Sequence, residues 1–178
     1  LIMSCAPTNL DEYDSTSSSK GISGEELEER NEECLLYNSF AAENSQIRDY
    51  QGAVDNYKYL VEIGCNTCEC LGANGEDAEY IYPYFGAAYI QLNKYDSASY
   101  VFKQGLKYIE DDPILLDNAQ WVAGKLGNLE EQIYYLDRWL GLDEGNLDVL
   151  NKFSEFYKNN SMFEEQVEIL NMILKINP

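Results

Sequence analysis

The side chains best suited to covalent or metal chemistry in this chain are its cysteines: Cys34, and the closely set trio Cys65, Cys68 and Cys70, with Cys5 standing apart near the start. Four thiols permit three pairings, and spacing alone does not choose among them. In an oxidising compartment the simplest outcome is a set of disulfides, with Cys34 facing Cys65 or Cys68. A zinc ion held by four thiolates is the alternative, although Cys68-Glu69-Cys70 departs from the usual paired Cys-x-x-Cys spacing. In a reducing cytoplasm the thiols would stay free, and a thioredoxin-like role lacks its βαβ context. The chain has no histidine, which removes the commonest general base and the commonest metal ligand. No nucleophile stands beside a base and no phosphate-binding loop is present. The expectation is a chain that is not an enzyme, with no cofactor and no metal.

Charge narrows the partners. There are 32 acidic residues against 12 basic ones, a net charge of -20. A nucleic acid is excluded as partner, because phosphate backbones are bound by Lys and Arg that displace counterions. Anionic lipid is disfavoured for the same reason. The acidity serves solubility, or forms an acidic face for a basic partner. No stretch reaches the roughly 20 apolar residues of a membrane span. The chain opens on Leu1 rather than Met, so a lost upstream segment is expected. Residues 1–23 are Ser-rich and poor in apolar side chains after the first few, which predicts a signal remnant and flexible tether. Ile2-Met3-Ser4-Cys5 resembles the end of a bacterial lipoprotein signal, although Met3 stands where a small residue is usual. That resemblance implies lipidation of Cys5 and anchoring in the bacterial envelope, at the periplasm or cell surface. The alternative is a fortuitous Cys on a cytoplasmic protein.

The elements that must position all this are set by a period of 34 residues. Tyr95, Leu129 and Phe163 stand in register, and so do Phe102, Leu136 and Leu170. Such a period predicts stacked helix–turn–helix units. Ser23 is a candidate N-cap for the first helix, followed by the acidic turn Glu25-Glu26. Tyr50, Ala53, Tyr57 and Leu60 form one apolar helical face. Ala53 answers to Ala98 at a separation of 45, one period plus 11 residues, which places an insertion at about 66–77. Pro83 must fall in a first turn, so its helix starts near Tyr80 or later. Gly127 fits a left-handed helix end. The units are about 32–67, 79–112, 113–146 and 147–178, within a repeat region spanning 24–178.

These residues resemble the tetratricopeptide repeat. The second unit carries the family pattern through Tyr82, Phe85, Gly86, Tyr89, Ala98 and Phe102. The first keeps Tyr37, Phe40, Ala41, Ala53 and Tyr57, and the fourth Tyr157, Phe163, Leu170 and Pro178. Gln120, Ala123 and Gln132 break the pattern in the third unit, as Gln166 does in the fourth. The resemblance implies an all-α fold, a right-handed α-solenoid of about four helix–turn–helix repeats. Its concave groove would hold a protein or peptide partner and be lined by the first helix of each pair. That groove would include Asn38, Ala42, Tyr80, Ala87, Ile90 and Gln91, then Asp117, Trp121 and Lys125, then Asn151, Glu155 and Lys158. Only Lys125 and Lys158 approach the positions that grip a terminal carboxylate, so apolar anchoring by Tyr80, Ile90 and Trp121 is the expected mode. These aromatics could equally fill gaps between repeats. A second expectation is self-association through an open apolar end at Met172, Ile173 and Ile176. A soluble cytoplasmic adaptor is the other alternative.

Overall fold

The computed structural model describes residues 24–65 and 81–177. Among them are eight helices and no strand: α1 (Gly24–Gln46), α2 (Tyr50–Glu62), α3 (Ile81–Gln91), α4 (Tyr95–Tyr108), α5 (Pro113–Lys125), α6 (Leu129–Leu142), α7 (Leu147–Asn159) and α8 (Phe163–Ile176). The fold is therefore all-α, as the period predicts. Two compact units divide between Leu92 and Asn93, the first holding α1 to α3 and the second α4 to α8.

Side-chain caps start several helices. Asp49 accepts from the Gly52 N–H, Asp112 from Leu115 at 2.8 Å, Asn128 from Glu131 and Asn146 from Val149, each using an amide with no partner inside its helix. Pro113 follows its cap at the first helical position, where a missing N–H costs nothing. Pro83 falls in the first turn of α3, as expected. Ser23 lies outside the described residues.

The turns inside the helical pairs share one backbone solution. Arg48, Asn93, Gly127 and Ser161 all have positive φ, between 56° and 72°. The last three are spaced by the repeat period. In three of the turns the next N–H reaches back to close the helix end: Asp49 to Asn44 at 2.8 Å, Asn128 to Ala123 at 2.9 Å and Met162 to Tyr157 at 2.9 Å. Gly127 was legible as such a residue. At Arg48, Asn93 and Ser161 the geometry overrides a side chain that disfavours it.

The same device ends α2 and places a cysteine. Gly64 turns at φ 80°, and the Cys65 N–H bonds to the Leu60 carbonyl at 2.8 Å. Cys65 is thereby brought to Cys34 on α1 with a Cα–Cα distance of 5.7 Å, and the two form a disulfide. Closing a loop with a sequence separation of 31 stabilises the pair by about 3–4 kcal/mol on the chain-entropy account. Ala41 and Ala53, both fully buried, provide the close approach of α1 and α2. Tyr37 packs on Tyr59 at 4.3 Å, and the Tyr59 hydroxyl donates to Glu33 at 2.7 Å. That hydrogen bond, with burial, pushes the Tyr59 phenol up to about 12.

In the second unit, Leu136 of α6 is buried with Val149, Phe153 and Phe156 of α7, and Ile133, Trp139, Met162 and Ile169 pack around them. Burial and the nearby Glu131 push the Tyr135 phenol up to about 12. Leu170 occupies the register of Leu136 but is exposed, and no helix follows α8 among the described residues to cover it.

The broken pattern positions prove to be partners. Gln132 donates to the Gln120 carbonyl oxygen at 3.3 Å, and Gln166 donates to the Ser154 hydroxyl at 3.4 Å. Each pair spans 12 residues and joins the two helices of one repeat, in the register that the buried Ala41 and Ala53 hold in the first. Gln120 is buried and also donates to Asp117 at 3.0 Å. Gln132→Ala should cost about 1–3 kcal/mol by stranding the Gln120 carbonyl. The double change Gln120→Ala with Gln132→Ala should recover part of that loss. Urea denaturation measures both, and strictly additive losses would show that the two side chains are not coupled.

Candidate functional site

Helix α5 buries Leu115, Leu116, Ala119, Val122 and Ala123, which fixes the face it leaves to solvent. On that other face Asp117, Trp121 and Lys125 recur every four residues and form a stripe. Trp121 is 41% exposed. Lys125 lies 4.8 Å from its ring centroid, and the Tyr95 ring meets it edge-on at 6.0 Å. Asp117 receives Lys152 from α7 at 2.7 Å, so an ion pair joins the first helices of consecutive pairs. Lys152 also stands 5.6 Å from the Trp139 ring. Along α7, Asn151, Glu155 and Lys158 are all exposed, while Val149, Leu150, Phe153 and Phe156 are buried. The candidates on α5 and α7 are therefore linked through the Asp117–Lys152 pair, beside an exposed indole with Lys125 against it.

In the first unit, Asn38 on α1 is half-buried and Ala42 exposed. On α3, Ala87 and Ile90 are half-buried and Gln91 is exposed. Of the expected apolar anchors, Trp121 is the exposed one and Ile90 is partly covered. Tyr80, Cys5, Cys68 and Cys70 lie outside the described residues. The Cys34–Cys65 bond takes two of the four thiolates that a zinc site would need. Among the described residues no group of three Asp, Glu, Cys or His side chains is placed to hold a metal ion.

Two features escaped sequence reasoning. One is the Asp117–Lys152 pair, whose partners sit at different positions of their repeats and so leave no periodic mark. The other is Arg138 on α6, which bonds Asp111 through Nε at 2.7 Å and stacks over Tyr134 at 5.6 Å. Burial opposes the Arg138 charge, but the hydrogen bond and charge of Asp111, together with Tyr134, outweigh it and its pKa is raised. Its neighbour Asp137 also has a raised pKa, through burial.

The expected open end is displaced along α8. Met172 and Ile173 are half-buried, and only Ile176 of that trio is exposed. The exposed stripe is Phe163, Val167, Leu170 and Leu174, because α8 turns Met162 and Ile169 toward α7. None of its residues is buried.

No family model matches the chain, and no curated protein matches it. Solved structures do. A tetratricopeptide repeat protein from Parabacteroides merdae superposes with a TM-score of 0.70 at 14% identity, over 82% of this chain. The chain spans only 54% of that protein's length. YrrB, described as a tetratricopeptide protein with an unusual peptide-binding site, gives 0.63 at 20% identity, over 86% of this chain and 74% of its own. The first tetratricopeptide domain of Spaghetti (RPAP3), solved with the HSP90 peptide SRMEEVD bound, gives 0.59 at 15% identity, over 74% of this chain and 98% of its own. These likenesses establish the fold, which is that of the tetratricopeptide-repeat solenoids.

Proposed function

We propose that this protein is an interaction scaffold whose first-helix face receives a polypeptide segment, and that it works exported and lipid-anchored at a bacterial envelope. The observation that carries the binding role is Trp121, exposed on α5 with Lys125 against its ring. A large rigid aromatic held in place yet open to solvent is the kind of group that supplies most of an interface's energy. Peptide binding in two proteins of the same fold supports the reading. The Cys34–Cys65 disulfide supports an oxidising compartment, and the Ser-rich segment after Cys5 suits a tether.

The binding role is tested by selecting peptides from a random library on the full chain. Trp121→Ala should weaken the selected peptides at least about tenfold. Peptides that bind this variant as tightly as the parent would refute the assigned face. The anchoring is tested separately, by intact mass of the native protein from its source. A chain beginning at Cys5 with a lipid-sized addition is expected, and an unmodified Cys5 would defeat that part of the reading.

A second reading, a subunit that stacks on another copy, is favoured by the α8 stripe. Sedimentation should then show concentration-dependent association that Leu170→Glu abolishes. A strictly monomeric parent chain would end it.

A further inference from the structure

Tyr134 and Tyr100 are equivalent residues one repeat period apart, on α6 and α4, and both rings are exposed. Tyr134 is already occupied. Arg138, one turn further along α6, lays its guanidinium over the ring at 5.6 Å and bonds Asp111 with two nitrogens, at 2.7 and 2.6 Å. The residue equivalent to Arg138 on α4 is Gln104, which accepts a hydrogen bond from Lys107 at 3.2 Å. Tyr100 is accordingly left 64% exposed, and among the described residues no cation or ring is placed over it.

The empty ring borders an open cleft of about 440 Å³, lined also by Asp96, Lys103, Leu126 and Glu131. Asp96 lies one helical turn before Tyr100, on the same side of α4. Among the described residues it makes no ion pair. Lys103 is held by Glu131 across the cleft, which neutralises the one cation in the lining. A carboxylate and an aromatic face are thus left together, two groups of the kinds that hold Arg138 on α6. There the carboxylate is Asp111, from the turn after α4, rather than a residue one turn along the same helix.

We propose that this cleft on the second-helix face is a receptor for an arginine side chain of a basic partner polypeptide, the guanidinium stacking on Tyr100 and pairing with Asp96. The chain's net charge of -20 favours approach of such a partner. The planar guanidinium suits the site better than an ammonium, because it stacks and bonds at once. The site is separate from the Trp121 face and does not depend on it.

The test is an amide NMR titration of the full chain with the capped tripeptide Gly-Arg-Gly, against the same peptide carrying neutral citrulline. The arginine peptide should shift resonances of residues 96–103 and 126–131 with millimolar affinity. Citrulline should bind about two- to fivefold more weakly, the range expected for an exposed cation–aromatic contact. Gln104→Arg sets a guanidinium one turn after Tyr100, as Arg138 stands to Tyr134, and should compete with the peptide for the ring. Tyr100→Leu removes the stacking face and should weaken the arginine peptide to the level of citrulline. Asn171→Arg adds the same charge on α8 and controls for general attraction. Equal binding of citrulline, shifts centred elsewhere, or equal losses in Gln104→Arg and Asn171→Arg would each overturn the proposal.

Discussion

Within each compact unit a helix buries its apolar face against its neighbours along the chain, and the Leu136 contact shows the rule at work. Leu136 lies on the second helix of one pair, and its burial comes from Val149 and Phe153 on the first helix of the next. A two-helix unit of this length cannot enclose a core alone, so stability arises from neighbours. The exposed counterpart Leu170 gives the same lesson in reverse. It has the register and an apolar side chain, yet no neighbour among the described residues covers it. Burial in this fold is a property of a junction rather than of a residue.

That constraint decides what is free to act. Residues that face the next helix are committed to packing, which leaves two outward faces for recognition. On α5 the committed side is closed by Leu115, Leu116 and Val122, so Trp121 has nowhere to go but solvent. On α4 and α6 the outward tyrosines have different fates because one neighbouring residue differs. Arg138 satisfies Tyr134, and Gln104 leaves Tyr100 open. A repeat lets a single substitution turn an internal contact into an available one.

The fold was largely legible in the sequence because burial repeats with the period, and Tyr95, Leu129 and Phe163 announced it. Ends and turns were legible where a residue type has one use, as with Pro83 and Gly127. They were not legible at Arg48, Asn93 and Ser161, whose side chains disfavour the geometry that the helices on either side impose. Gln120 and Gln132 read as departures from the pattern, and only three-dimensional contact reveals that each accounts for the other. For the candidate site, the family resemblance put Trp121 on the first-helix face, and on α5 the residue is exposed. The resemblance could not indicate that Lys152 would join Asp117 there, since ion pairs between successive helices follow no fixed register. Among the cysteines, the choice of Cys65 for Cys34 depends on the backbone turn at Gly64, which spacing does not encode.

The first helical pair is covalently closed by Cys34–Cys65, whereas α8 contributes no buried residue. A chain whose stability is shared between neighbours loses its least covered element first. Among the described helices α8 is therefore the one expected to open first. Any molecule that covers the α8 stripe would lengthen the lifetime of the whole array, so occupancy at that face would be read out as abundance.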